Sequence, residues 1–148
     1  MIVTEMDLPE CMALVQASRL GRLACALDGQ PYVVPFNYAA DGRDLYSFSL
    51  TGKKVEWMRQ NPKVCVQIDH LAGREWRSVV IYGRFEELPD EPGWKAQREH
   101  AWSLLSREVE WWAPGAFKPA GQGPAPHLFY RIVTGEVTGR RALPDRNA

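Results

Sequence analysis

The chain has no apolar run approaching the roughly 18 residues that a membrane span requires. Its first residues, MIVTEMDLPECMALVQASRL, lack the basic start and pure apolar run of a signal peptide. Together these absences set the expectation of a cytoplasmic protein. There is no surplus of either charge, since 18 Lys and Arg balance 18 Asp and Glu. Binding to nucleic acid, or to an anionic membrane through a cationic helix, draws on a basic excess that is missing here. Cysteine is scarce: Cys11, Cys25 and Cys65 are widely spaced, odd in number and form no CxxC pair. Cys25 lies in LACAL and Cys65 in KVCVQI, so they read as small buried apolar residues. His70, His100 and His127 show no metal-ligand spacing, and no metal site is expected. Neither GxSxG nor GxGxxG occurs, and the Walker A pattern is absent, which removes the α/β-hydrolase, dinucleotide-fold and P-loop readings. Ser49 and Ser78 stand in no nucleophile–base arrangement. Redox chemistry would therefore have to come from a bound cofactor.

What is present fits one domain over residues 1–148, with 45% hydrophobic and 24% charged residues. Asp7 can cap a helix that runs to Ala17, with Pro9 in its first turn and Met12, Leu14 and Val15 as its apolar contacts. Gly21 to Leu27 reads as a buried strand, Asp28-Gly29 as a hairpin turn and Pro31 to Ala40 as the returning strand. Asp41-Gly42 turns again into Asp44 to Leu50, which gives an expected three-strand meander. Val55, Met58 and Trp57 give TGKKVEWMRQNP the apolar face of a short helix, stopped by Asn61-Pro62. Strands follow over Lys63 to Leu71 and Trp76 to Leu88, then a helix from Pro89–Gly93 to Glu110 with Trp94, Trp102, Leu105 and Val109 on one side. Residues 113–126 form a Pro/Gly-rich loop, and His127 to Leu143 is a last strand with Gly135 as its candidate break. Short antiparallel strands with marginal helices predict a mainly β, small barrel.

Three segments carry chemistry. SLTGKK places Ser49, Thr51, Lys53 and Lys54 where a strand ends and a helix begins, so hydroxyls, cations and free N–H groups share one corner. Gly52 is expected to let the backbone approach a ligand there. Phosphate suits that set, although two lysines opening a helix are often simply solvated. In Trp76-Arg77-Ser78, strand alternation puts Arg77 on the face opposite Trp76 and Ser78. Arg77 either forks onto a phosphate or pairs with Asp69 or Glu75. Pro35, inside PYVVPFNY, cannot donate to a ladder. It marks an edge, a bulge or an opening that frees Val34 C=O and Asn37 N–H for a planar ring. Most of the six tryptophans read as core or interface, with Trp111 and Trp112 as candidate pocket walls.

Taken in order, G-x-L-A, P-Y-V-V-P-x-N, L-Y-x-x-S, G-K-K, N-P-x-V, R-S-V-x-x-x-G and T-G-x-R resemble the FMN-binding split-barrel family. The likeness is to its pyridoxamine 5′-phosphate oxidase-related members, the nitroimidazole-resistance-like branch in particular, and spans Leu8 to Ala142. It implies an antiparallel split β-barrel with two or three flanking helices, FMN as cofactor, and a homodimer with the flavin at its interface. It implies that Lys53, Lys54 and Ser49 reach the FMN phosphate and that Arg77 and Ser78 close that pocket. Val34, Pro35, Phe36 and Asn37 would face the isoalloxazine ring. The chain lacks the R-x-V-x-L-K run and basic C-terminal segment of true pyridoxamine phosphate oxidases, offering QPYVVPFNY and TGRR instead. The implied activity is thus an FMN-dependent oxidoreductase of nitroreductase type acting on a small molecule. A flavin carrier or sensor, or a split barrel holding the deazaflavin F420 or haem, is the alternative.

Overall fold

Gly-containing residue pairs fold the alternating segments into three hairpins. A computed structural model of the chain describes residues 1–107 and 127–146. β1 covers Ile2–Glu5, and β2 (Leu20–Leu27) returns as β3 (Gln30–Asn37) through Asp28 and Gly29, with φ of 51° and 79°. Two successive positive φ angles match the twist of the flanking strands, and only Asp, Asn or Gly adopt them readily. β4 (Ala39–Asp41) turns at Gly42-Arg43 into β5 (Asp44–Leu50), and β6 (Lys63–Ala72) turns at Gly73-Arg74 into β7 (Glu75–Leu88). β8 spans His127–Leu143. β1 was not expected from the sequence, and it pairs with the last residues of β8.

The strands form one antiparallel sheet in the order β3-β2-β6-β7-β8-β5-β4, with β1 beside β8. β8 organises it. One edge of β8 follows β7 from Phe129 to Ala142, while the other serves β5 first and β1 later. Gly135 does not break this strand. Ile81 faces Val137 and Gly83 faces Thr134, so Gly135 and Glu136 together oppose Tyr82. This bulge bends β8 without ending it.

The expected meander is not formed. β3 and β4 stand at opposite ends of the sheet order, yet only Tyr38 separates them along the chain. The run Pro31 to Ala40 therefore divides into two strands, and β3 does not pair with β5. No turn residue marks the division, because it arises from the curl of the whole sheet. The two ends meet at that corner and leave a seam between β3 and β5, which makes the architecture a split barrel. Pro35 lies on β3, an edge strand, in register with Arg22.

Among the described residues three helices close the barrel. α1 (Leu8–Ala17) is capped by Asp7, whose carboxylate accepts from the Glu10 N–H at 2.9 Å, and it buries Cys11, Leu14 and Val15. α2 (Lys53–Gln60) inserts Val55 and Met58 into the interior beside Leu23, Phe36 and Ile68. After a 3-10 turn at Pro92–Trp94, α3 (Lys95–Leu105) covers the outer side of β4 and β5. There Ala101 and Leu105, one helical turn apart, pack with Tyr46, Phe48, Leu88 and Phe129. Trp102 does not line that buried side; it is 40% exposed, because the i, i+4 pair Ala101/Leu105 takes the inward face. Val109 and the extension towards Glu110 lie outside the described residues. Among the described residues no helix is long and apolar enough to cross a membrane.

The β7–β8 contact is tightest at Gly83. A Cβ there would meet Ile132 Cγ2 at 2.6 Å and the Val133 carbonyl oxygen at 2.9 Å. Gly83→Ala is expected to lower stability by about 1–3 kcal/mol through overpacking, read as an earlier urea midpoint. Gly93→Ala, with nothing within 4 Å of the new methyl, leaves the midpoint unchanged.

Candidate functional site

The seam opens as a cleft of about 290 Å³ lined by Pro35, Phe36 and Asn37 of β3, Ser47 to Leu50 of β5, Lys54 of α2 and Tyr130 of β8. Five of the residues singled out in the sequence, Pro35, Phe36, Asn37, Ser49 and Lys54, thus come together. Asn37 and Ser47 span the seam: the Ser47 hydroxyl donates to the Asn37 carbonyl at 2.6 Å. The Ser49 hydroxyl donates to the Leu50 carbonyl at 2.8 Å. Val34 packs partly buried against the interior and is not on the cleft wall.

The α2 N-terminus forms one end of the cleft. Gly52 stands at its N-cap with no side-chain cap, so the first-turn N–H groups keep no intrahelical acceptor. Gly52 itself has extended backbone, φ −178°, that any residue can adopt, with open space around it. The conformational role expected of this glycine is therefore not needed. Lys54 is half-buried, and burial lowers its pKa from 10.5, against a smaller opposing influence from Cys25. Lys53 turns elsewhere. Its ammonium lies 4.8 Å from the ring centroids of both Tyr32 and Trp57, a double cation–π contact. Thr51 is exposed and off the cleft wall. Cys25 is buried, as expected, and burial pushes its thiol up despite the two lysines nearby.

Arg77 and Ser78 are not in this cleft. Ser78 accepts from the Gln67 amide at 3.0 Å and lines a second cavity with Trp76, Arg140 and Thr138 on the outer face of β7 and β8. Arg77 makes neither of the ion pairs considered for it. Asp69 pairs with Arg22 and Glu75 with Arg141, each taken by a cation on a neighbouring strand. Trp111, Trp112 and the loop 113–126 lie outside the described residues. Among the described residues no cluster of three or more His, Cys, Asp or Glu could hold a metal ion. His100 bonds Asp41 at 2.6 Å, outside the cleft.

The sequence reading missed Ser47, Phe48, Leu50 and Tyr130. Alternation in LYSFSL puts Ser47 on the same side as Ser49. No local signal marks Tyr130, which reaches the cleft only because its register partner is Ser47.

The cleft, with a cation and several hydroxyls beside an edge strand, suits an elongated ligand carrying an anionic group and a planar ring. The family model described as pyridoxamine 5′-phosphate oxidase matches residues 7–141. The chain belongs to that family. A relative, the uncharacterised protein RA0666 of Rhizobium meliloti (strain 1021), is 48% identical over 146 residues, 96% of this chain and 97% of its own. The crystal structure of a FAD-binding protein from Mesorhizobium loti is similar at 53% identity and TM-score 0.82, covering 96% of this chain and 99% of that one. The FAD binding protein from Mycobacterium smegmatis shares the fold at 19% identity and TM-score 0.69, over 96% of this chain and 100% of that one.

Lys54 generates a prediction. A lysine whose folded pKa lies below its unfolded value penalises the folded state while both forms are protonated. Stability then rises as pH climbs from the lowered value towards 10.5, where the penalty vanishes. Lys54→Met is expected to raise the thermal midpoint of the ligand-free protein at neutral pH and to flatten this alkaline rise. Thermal unfolding across that pH window measures both.

Proposed function

We propose that the chain is a flavin-dependent oxidoreductase that holds FMN in the seam cleft and works as a homodimer. The observation that carries this reading is the meeting of Pro35, Phe36 and Asn37 with Ser49 and Lys54 at one opening of the barrel. Lys54, Ser49 and the free N–H groups of α2 supply the charge and donors that a flavin phosphate requires. The edge strand around Pro35 offers backbone groups to a ring. The residues present therefore fit a flavin. When bound, a flavin supplies hydride and electron transfer that no side chain here provides. The protein's share is to orient the ring, pair the phosphate and limit water. A nitro compound or similar electrophile is the proposed acceptor, with a reduced nicotinamide as donor. The missing R-x-V-x-L-K run argues against pyridoxamine phosphate itself.

The dimer is supported by an apolar outer sheet face. The register aligns Val33, Ala24, Cys65 and Tyr82 across four strands, and Val33, Tyr82, Leu71 and Trp76 are exposed. A second copy on this face would cover Ser78, which shares a side of β7 with Trp76, while Arg77 lies on the opposite side of the strand.

A second reading has its own support. Among the described residues Lys54 and the buried Tyr130 are the titratable ones on the cleft wall, and they make no acid–base pair, as suits a flavin carrier or sensor. FAD instead of FMN is favoured by the Mesorhizobium loti protein, a FAD-binding relative at 53% identity.

Heat release and chromatography of the cofactor are expected to give FMN, and stoichiometric FAD would correct that assignment. Lys54→Ala is expected to weaken FMN binding about tenfold to a hundredfold, as loss of a charge-assisted bond implies. Lys53→Ala costs less, because Lys53 is already held by Tyr32 and Trp57. Flavin fluorescence titration measures both. Light scattering is expected to give the dimer mass. Anaerobic bleaching of bound flavin by NADH or NADPH, followed by reoxidation with a nitroaromatic, separates enzyme from carrier.

A further inference from the structure

The floor of the cleft carries a polar atom that the fold leaves unused. Tyr130 is fully buried, its hydroxyl has no hydrogen-bond partner, and the residue lines the cleft. An unpaired buried hydroxyl is costly to a fold, and such groups in native proteins call for a use. Its cross-strand neighbour Ser47 commits its single proton to the Asn37 carbonyl at 2.6 Å, and although the two hydroxyls are neighbours the Tyr130 O–H makes no hydrogen bond to the Ser47 oxygen. Packing does not need the hydroxyl either. The Tyr130 ring meets Phe36 at 6.2 Å and Phe85 at 5.4 Å between centroids, contacts that phenylalanine would make equally well.

We infer that the Tyr130 O–H donates a hydrogen bond to an acceptor on the edge of the planar heterocycle bound in the cleft, a flavin ring carbonyl or imine nitrogen. The inference rests on the flavin reading above and adds a residue that reads the ring. The phenol acts in its neutral form. Burial pushes its pKa well above the usual range, outweighing the opposite influence of Ser47. Ser47 fixes the seam, and the Tyr130 hydroxyl lies beside it with no hydrogen-bond partner among the described residues.

Tyr130→Phe tests this with purified protein and two probes, FMN and FAD. The expected result has three parts. Affinity for the flavin that wild type binds falls about threefold to tenfold, the loss of one neutral hydrogen bond. The visible absorption bands of the bound flavin shift. The thermal midpoint of the ligand-free variant stays level or rises, because the unpaired hydroxyl is gone. A purely structural role would instead lower that midpoint. Wild-type affinity with an unchanged spectrum overturns the inference, and so does a variant that fails to accumulate as folded protein. If wild type binds neither flavin, the flavin reading fails and this inference falls with it. If wild type binds and Tyr130→Phe matches it, only this inference falls.

Discussion

Asn37 and Ala39 belong to opposite ends of one sheet, and a single residue joins them. That covalent constraint is what the rest of the structure depends on. Strands at the two ends of an ordinary open sheet lie far apart, so a one-residue link forces the sheet to curl until its ends touch. Tyr38 holds the corner. It is fully buried, its hydroxyl donates to the Val15 carbonyl at 2.8 Å, and its N–H donates to the Arg19 carbonyl at 3.0 Å. The Ser47–Asn37 hydrogen bond ties the seam from the other side. The cleft is the gap that remains where two edges meet without a ladder between them.

Edges are normally a hazard, since unpaired backbone groups invite other strands. Here Pro35 removes one donor from the β3 edge, and the remaining groups face a cleft with a cation at its end. The two lysines of α2 divide the work by environment. Lys53 is held over aromatic rings away from the cleft, while Lys54 is drawn into a half-buried position where its charge is disfavoured without a counter-ion. An anion in the cleft would relieve that strain, so ligand affinity and ligand-free stability oppose each other at one residue.

Much of this was legible in the residues. Periodicity and turn pairs located six strand segments and the starts of the helices, and Asp7, Asn61 and Asp28-Gly29 stand where capping and turn chemistry place them. What failed was long-range. The division at Tyr38, the pairing of β1 with β8 and the bulge at Gly135 depend on the curl of the whole sheet, which no local pattern records. The site shows the same split. SLTGKK and VPFN could be read as ligand-facing because hydroxyls, cations and a strand proline carry chemistry in their types. Tyr130 could not, because an aromatic in HLFYRI looks like core until its register partner is known. Arg77 and Ser78 were grouped with the phosphate corner through resemblance, yet β6 and β2 lie between them and the β3 edge within one chain.

The Tyr38 corner also bears on how this family of chains can change over evolutionary time. The three hairpin turns project outward from strand ends, so added residues there lengthen a loop and disturb little. At Tyr38 the chain has no slack. One extra residue would shift β4 by a step and exchange its inward and outward side chains, placing Ala39 where Ala40 now stands. One residue fewer would leave too short a bridge. Insertions and deletions should therefore gather at Asp28-Gly29, Gly42-Arg43 and Gly73-Arg74, while the spacing from Pro35 to Ala40 is held constant by geometry, whatever substitutions its side chains accept.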